Sequence, residues 1–418
     1  MSRREEARQV LRANDRGGYT VPTDRLYPFQ WNWDSAFVAM GFATFDPARA
    51  WSEIEWLLRG QWEDGLIPQI VFHAPSDDYF PGPEVWGVGR SPPTSGITQP
   101  PVLATAARRV LAAAAHEEGE ARMAAIYPRL RDNHRWWAAA RDPHGTGLVA
   151  TLHPWETGMD NSPAWDRALD RVPTATRTDI RRRDTGHVDP AFRPRAIDYQ
   201  RFIHLVEVFC DTGWDPARML AASPFRVADV GTNAILLRAE QDLLDLAIRF
   251  GTPEEAAEIA GRIARMEAAL ERLWDGRLSH YLARDLIAGE PIPLRGSAGF
   301  LPLFAGQARH AAELAERLEE WGRSVRALVP STDPGHPLFE PLRYWRGPVW
   351  AVVNWMIAEG LRRCGQEAMA DRVAGDTRGL IAAEGFSEYF DPLTGQGIGG
   401  GTFSWTAAIW LLLEGEEA

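Results

Sequence analysis

Amphipathic helical segments separated by short breaks run along most of the 418 residues, and this pattern constrains the fold more than any other feature. After an N-terminal helix near 3–14, the periodicity predicts helices near 35–45, 48–61, 97–116, 119–141, 196–213 and 228–250. Six more are expected near 252–275, 297–306, 307–323, 346–364, 366–384 and 402–414. Thr252-Pro-Glu-Glu255 is a strong start signal, with a capping hydroxyl, proline at the first helical position and glutamate at the third. Trp274-Asp-Gly276 is the matching stop. Leaving out the N-terminal helix, twelve segments suggest six helical hairpins closed into a ring. The expected class is therefore all-α, as one domain over 1–418. Strand signals are sparse; the best, Arg277–Arg284 followed by Ala-Gly-Glu-Pro, reads as a small hairpin.

The long breaks, 15–34, 62–96, 143–195 and 385–401, hold most of the glycine, proline and aromatic residues. In a helical ring such loops converge at one end, and long structured loops usually carry function. The Arg- and Asp-rich excursion 166–195 is expected to be a lid or insertion.

Composition removes several functions. A formal charge of −12 with no basic stretch argues against a nucleic-acid partner. All 45 basic residues are arginine, so Schiff-base, P-loop lysine and kinase chemistry are excluded. The two cysteines, Cys210 and Cys364, lie in helix-like segments and read as free buried thiols. No apolar run reaches membrane-spanning length, and the N-terminus shows no secretion signal, so a cytoplasmic protein without a membrane partner is expected. The sequence leaves a homo-oligomer open.

Two carboxylates remote in the chain stand in aromatic, glycine-marked loops: Asp160 in Trp155-Glu-Thr-Gly-Met-Asp-Asn-Ser-Pro163, and Glu388 in Gly385-Phe-Ser-Glu-Tyr-Phe-Asp391. Glycosidic cleavage needs one acid, one base and flat rings that hold a sugar. The blander readings are an Asx turn for Asp160 and a surface glutamate for Glu388. Among the 18 tryptophans, Trp31, Trp33, Trp86, Trp155, Trp165, Trp345 and Trp405 fall in loops, whereas Trp136, Trp137, Trp355 and Trp410 read as core. Asp34 ends the ring-rich Tyr27-Pro-Phe-Gln-Trp-Asn-Trp-Asp34 and reads as the cap of a helix starting at Ser35, as a ligand of sugar hydroxyls, or as both. No zinc motif or Gly-x-Ser-x-Gly elbow occurs. Gly395-Gln-Gly397-Ile-Gly-Gly400 matches the dinucleotide pattern but lies too near the C-terminus for a βαβ unit.

With these residues in view, the chain resembles glycoside hydrolase family 63, and within it the bacterial mannosylglycerate/glucosylglycerate hydrolases. The matching segments are Tyr27–Asp34, Thr98-Gln-Pro100, Trp155–Ser162, Arg343-Tyr-Trp-Arg-Gly-Pro-Val-Trp350, Ser387–Gly395 and Thr402-Phe-Ser-Trp-Thr406. The resemblance implies an (α/α)6 barrel and an inverting mechanism, with Asp160 as general acid and Glu388 as general base. It places Tyr27, Trp31, Trp33, Asp34, Gln99, Trp155, Tyr344, Trp345 and Trp350 around the sugar, and Arg193 and Tyr199 at the glycerate end. The implied reaction is hydrolysis of 2-O-α-D-mannosyl-D-glycerate or its glucosyl analogue, without metal or organic cofactor.

On this reading Asp160 must keep its proton near neutral pH, helped by burial against Trp155 and by a nearby carboxylate such as Asp34. The small-molecule partner has an anionic aglycone, so a local arginine must offset the net negative charge. Arg193 is the first expectation and Arg346 the second. The rivals are a trehalase or oligosaccharide α-glucosidase on the same barrel, a sugar epimerase, and a non-catalytic sugar-binding protein.

Overall fold

The computed structural model describes residues 2–24, 26–186 and 188–415. Six inner elements contact one another in a closed order: Asn32–Ala43, Leu103–Ala113, Val230–Phe250, Ser297–Leu303, Ala351–Arg363 and Ser404–Gly415, which returns to the first. Outside them lie Arg3–Ala13, Pro47–Leu58, His116–Trp136, Pro253–Glu271, Ala311–Trp321 and Glu367–Glu384. The architecture is an (α/α)6 barrel.

Burial separates the two rings. Every residue of Asn32–Ala43 is buried, as expected for a helix enclosed on all sides. The outer helices bury one stripe each; Pro253–Glu271 buries only Ile259, Arg262, Met266, Ala269 and Leu270. That helix opens with the expected capping box of Thr252 and Glu255.

The ring contains twelve elements, but not the twelve expected. The N-terminal helix belongs to it, packed against the last helix. Asn14 Nδ2 reinforces that closure by donating to Thr402 O at 2.8 Å and to Ser404 Oγ at 2.9 Å. The helix Ala196–Asp211 stands outside the ring, in the long excursion between the second and third hairpins. The inner element Ser297–Leu303 is a 3-10 stretch because Pro302 denies it an amide donor.

Strands are short. Trp274–Asp275 pairs with His280–Tyr281, and Arg284–Asp285 with Glu290–Pro291, so the first turn falls inside the expected strand 277–284. Cys210 and Cys364 are free thiols. No helix among the described residues is long and apolar enough to cross a membrane.

Candidate active site

The long loops meet over one end of the barrel around a ring-lined cavity. Its wall includes Tyr27, Trp31, Trp33, Asp34, Gln99, Trp155, Asp160, Arg193, Tyr199, Tyr344, Trp345 and Glu388. Asp160 and Glu388, separated by 228 positions (388 minus 160), thus share one chamber.

Asp160 is held from both sides of its loop. A 3-10 turn, Pro154–Thr157, ends at Gly158, whose φ of +69° is left-handed. A Cβ at Gly158 would stand 2.7 Å from the Trp33 ring, so glycine is required there. Beneath the turn, Arg141 and Glu156 form a fully buried ion pair at 2.6 Å. After Asp160, Asn161 Oδ1 accepts from Trp345 N at 2.9 Å, and Met159 O accepts from Trp165 Nε1 at 2.8 Å. Asp160 itself is half-buried, its open side facing the cavity. Burial pushes its pKa up to about 7; Glu388 and Asp184 push the same way, and Arg193 opposes them.

Glu388 is 1% exposed. Its backbone is fastened to the last inner helix, with Trp405 Nε1 donating to Glu388 O at 3.4 Å and Thr406 Oγ1 donating to Ser387 O at 2.7 Å. Tyr27 Oη donates to Glu388 Oε1 at 3.0 Å, and Arg193 Nη1 approaches Oε2 at 3.4 Å. Burial pushes its pKa up to about 7 against the pull of Arg193, Tyr27 and Tyr344. Gly399, with φ +87°, lies so close that a Cβ would sit 2.5 Å from Glu388 Cβ and Oε2. The glycine pattern near the C-terminus therefore backs a carboxylate.

Arg193 reaches the cavity from the 166–195 excursion. Its Nη2 donates to Tyr27 Oη at 2.7 Å, its Nε donates to Asp184 Oδ2 at 3.2 Å, and its guanidinium carbon lies 4.1 Å from the Tyr344 ring centroid. Tyr344 has φ +42°, a strained backbone for a bulky residue, and Trp350 Nε1 holds its carbonyl at 3.1 Å. Tyr199 donates its hydroxyl to Phe80 O at 2.7 Å.

Three expected placements differ. Asp34 does not cap its helix, which already begins at Asn32; it is 5% exposed, and burial raises its pKa well above the ordinary value. The helix start is instead satisfied from a distance, Trp33 N donating to Gln99 Oε1 at 3.3 Å and Asn32 N to Gln69 O at 3.0 Å. Trp350 lies behind the wall, stacked on Trp345 with ring centroids 3.7 Å apart, and contributes no cavity surface. Arg346 is saturated by Asp166, at 2.8 and 2.9 Å, and by Glu340 at 2.7 Å, so it ties two loops together away from the cavity.

Among the loop tryptophans, Trp86 and Trp165 are core residues whose indole N–H groups donate to Pro81 O and Met159 O. Trp405 joins the wall, as do Gln69, Tyr79, Phe80, Asp184 and Phe403, none of which the sequence reading assigned to the site. Asp184 sat within the Arg/Asp-rich excursion; Gln69, after Pro68, gave no local signal.

The model of the mannosylglycerate hydrolase MGH1-like glycoside hydrolase domain matches residues 27–406. The mannosylglycerate hydrolase of Thermus thermophilus is 51% identical over 97% of this chain and 99% of its own length. The glucosylglycerate hydrolase of Mycolicibacterium hassiacum is 35% identical over 97% of this chain and 96% of its own. The crystal structure of the Thermus thermophilus family 63 mannosylglycerate hydrolase in complex with Tris and D-glycerate superposes with a TM-score of 0.96 at 50% identity, covering 99% of this chain and 100% of that one. With its barrel, its loop-built cavity and these full-length likenesses, the chain belongs to the MGH1-like glycoside hydrolases and is a glycosidase.

Proposed function

We propose that the enzyme hydrolyses 2-O-α-D-mannosyl-D-glycerate, or the α-D-glucosyl analogue, to free sugar and glycerate with inversion at the anomeric carbon. One observation carries the mechanism: Asp160 and Glu388 share a ring-lined cavity with the guanidinium of Arg193, where burial raises the pKa of both. The likeness to mannosylglycerate and glucosylglycerate hydrolases supports the substrate class.

The surroundings of the two acids support different roles. Glu388 receives the Tyr27 hydroxyl and faces Arg193, which favours its ionised form. Asp160 accepts no side-chain hydrogen bond of that kind among the described residues, so of the two it is the better placed to hold a proton. Asp160 protonates the departing glycosidic oxygen, and Glu388 takes a proton from the water attacking the opposite face. Inversion needs the carboxyls about 6.5–9.5 Å apart. Tyr27, Trp31, Trp33, Asp34, Gln99, Trp155, Tyr344 and Trp345 surround the sugar. Arg193 binds Asp184, Glu388 and Tyr27 inside the protein and also meets Tyr389, and the face of its guanidinium turned to the cavity receives the glycerate carboxylate, beside Tyr199. The 166–195 excursion serves as the lid of a single-domain enzyme, since it brings Asp184, Arg193 and Pro194 to the cavity.

Proton NMR of an early digest tests the assignment. β-Mannose as the first anomer is expected; α-mannose first overturns Glu388 as base, and turnover of trehalose or α-glucobioses in place of glycerate glycosides overturns the substrate.

A further inference from the structure

Three buried glutamines stand near the first inner helix, and their side chains differ in what they bind. Gln30 is fully engaged, its Nε2 donating to Glu53 O and Oε1 at 3.1 and 2.9 Å and its Oε1 lying 2.7 Å from His73 Nε2. Gln99 accepts from Trp33 N. Gln69 is 4% exposed and lines the cavity, yet its buried Oε1 has no hydrogen-bond partner among the described residues.

The backbone of Gln69 is fixed. Its N donates to Ile97 O at 2.7 Å and its O accepts from Asn32 N at 3.0 Å. The next residue, Ile70, pairs in register with Trp31. A buried amide without a partner weakens a fold, and the large majority of such groups are paired. Here the backbone is held on both sides while the side-chain carbonyl is left unpaired in the cavity wall. An amide offers both a donor and an acceptor, which suits a hydroxyl able to play either part. Being neutral, it suits the polyol end of a glycoside, whereas the anionic end falls to Arg193. Its attachment to Asn32 puts it beside the turn that carries Trp33 and Asp34.

We propose that Gln69 is a specificity-determining residue whose side-chain amide hydrogen-bonds one hydroxyl of the sugar ring. The proposal rests on the glycosyl-glycerate reading above and adds a recognition contact to it.

The test is a cycle between Gln69→Leu and a set of monodeoxy-mannosyl glycerates, with thermal unfolding of each variant. Gln69→Leu keeps the volume and removes the unpaired amide, so folding is retained with unchanged or raised Tm. On the full substrate kcat/KM falls about tenfold or more, because a site built for a hydroxyl discriminates through its unpaired group. With one deoxy analogue, and one alone, that penalty collapses to within about threefold. Gln69→Asn, one methylene short of reach, behaves like Gln69→Leu. Wild-type kcat/KM in both variants, or an equal loss on every analogue, overturns the proposal. If the wild-type enzyme turns over none of these glycosides, the substrate assignment fails first, before any variant is compared.

Discussion

Arg193 Nη1 lies 3.4 Å from Glu388 Oε2 while Nη2 of the same guanidinium donates to Tyr27 Oη, which in turn donates to Glu388 Oε1. One cation thus acts on the proposed base twice, directly and through a phenol. Arg193 also lowers the pKa of Asp160 against its burial. Arg193→Met removes both influences, so both carboxyls keep their protons to higher pH. The kcat/KM profile should shift to the alkaline side on both limbs, with activity at its optimum down about 100-fold or more from lost positioning of base and substrate. An unshifted profile argues that Arg193 acts on the aglycone alone.

Asp184 predicts the opposite sign. It takes Arg193 Nε at 3.2 Å and is held by Arg182 at 3.0 and 2.5 Å. Those two arginines keep it below its ordinary pKa although burial pushes it up. As a nearby anion it raises both Asp160 and Glu388. The other groups around this cluster are Asp34 and Tyr27, Tyr79, Tyr199, Tyr344 and Tyr389, all of which burial pushes toward the neutral form. Asp184→Asn should therefore move both limbs of kcat/KM to lower pH. A fall in activity with limbs in place points to a role confined to loop structure.

Asp160→Asn and Glu388→Gln should each lower kcat by about 10³-fold or more with folding intact. The pH dependence of stability separates a buried acid from a surface one. Unfolded Asp160 loses its proton near the ordinary value of 3.8 and the folded one near 7. Between those values the folded state binds more protons, so this group's contribution falls as pH rises through that window. Asp160→Asn removes the effect. Its Tm should exceed that of the wild type by on the order of 1–3 °C at pH 8 and match it near pH 4. Equal Tm values at pH 8 argue against a strongly raised pKa.

The barrel was legible because amphipathic periodicity is local, whereas membership of the ring depends on remote packing. Helix Ala196–Asp211 and the N-terminal helix read alike in sequence, yet only the second closes on the last helix, through contacts such as Asn14 to Ser404. Asp34 looked like a cap because the amides at its helix start are satisfied by Gln69 and Gln99, tens of residues away. The aromatic loops marked most of the cavity wall because rings beside turns are visible locally. Trp350 and Arg346 share those loops but point elsewhere, one stacked on Trp345 and the other paired with Asp166. Gln69 and Asp184 carried no motif, and only the fold places them at the cavity.

The glycine run before the last helix supports a paired prediction. Gly399 and Gly400 have nearly the same left-handed backbone, φ +87° and +89°. A Cβ on Gly399 would stand 2.5 Å from Glu388 Oε2, whereas one on Gly400 meets nothing within 4 Å. Alanine at either position incurs a similar conformational penalty, on the order of 1 kcal/mol. Only Gly399→Ala must also displace the carboxylate. Gly400→Ala should keep kcat within about threefold, and Gly399→Ala should lose about 100-fold at similar Tm, since small misplacements of a catalytic group cost that much. Equal activities in the two variants would separate this glycine from the position of Glu388.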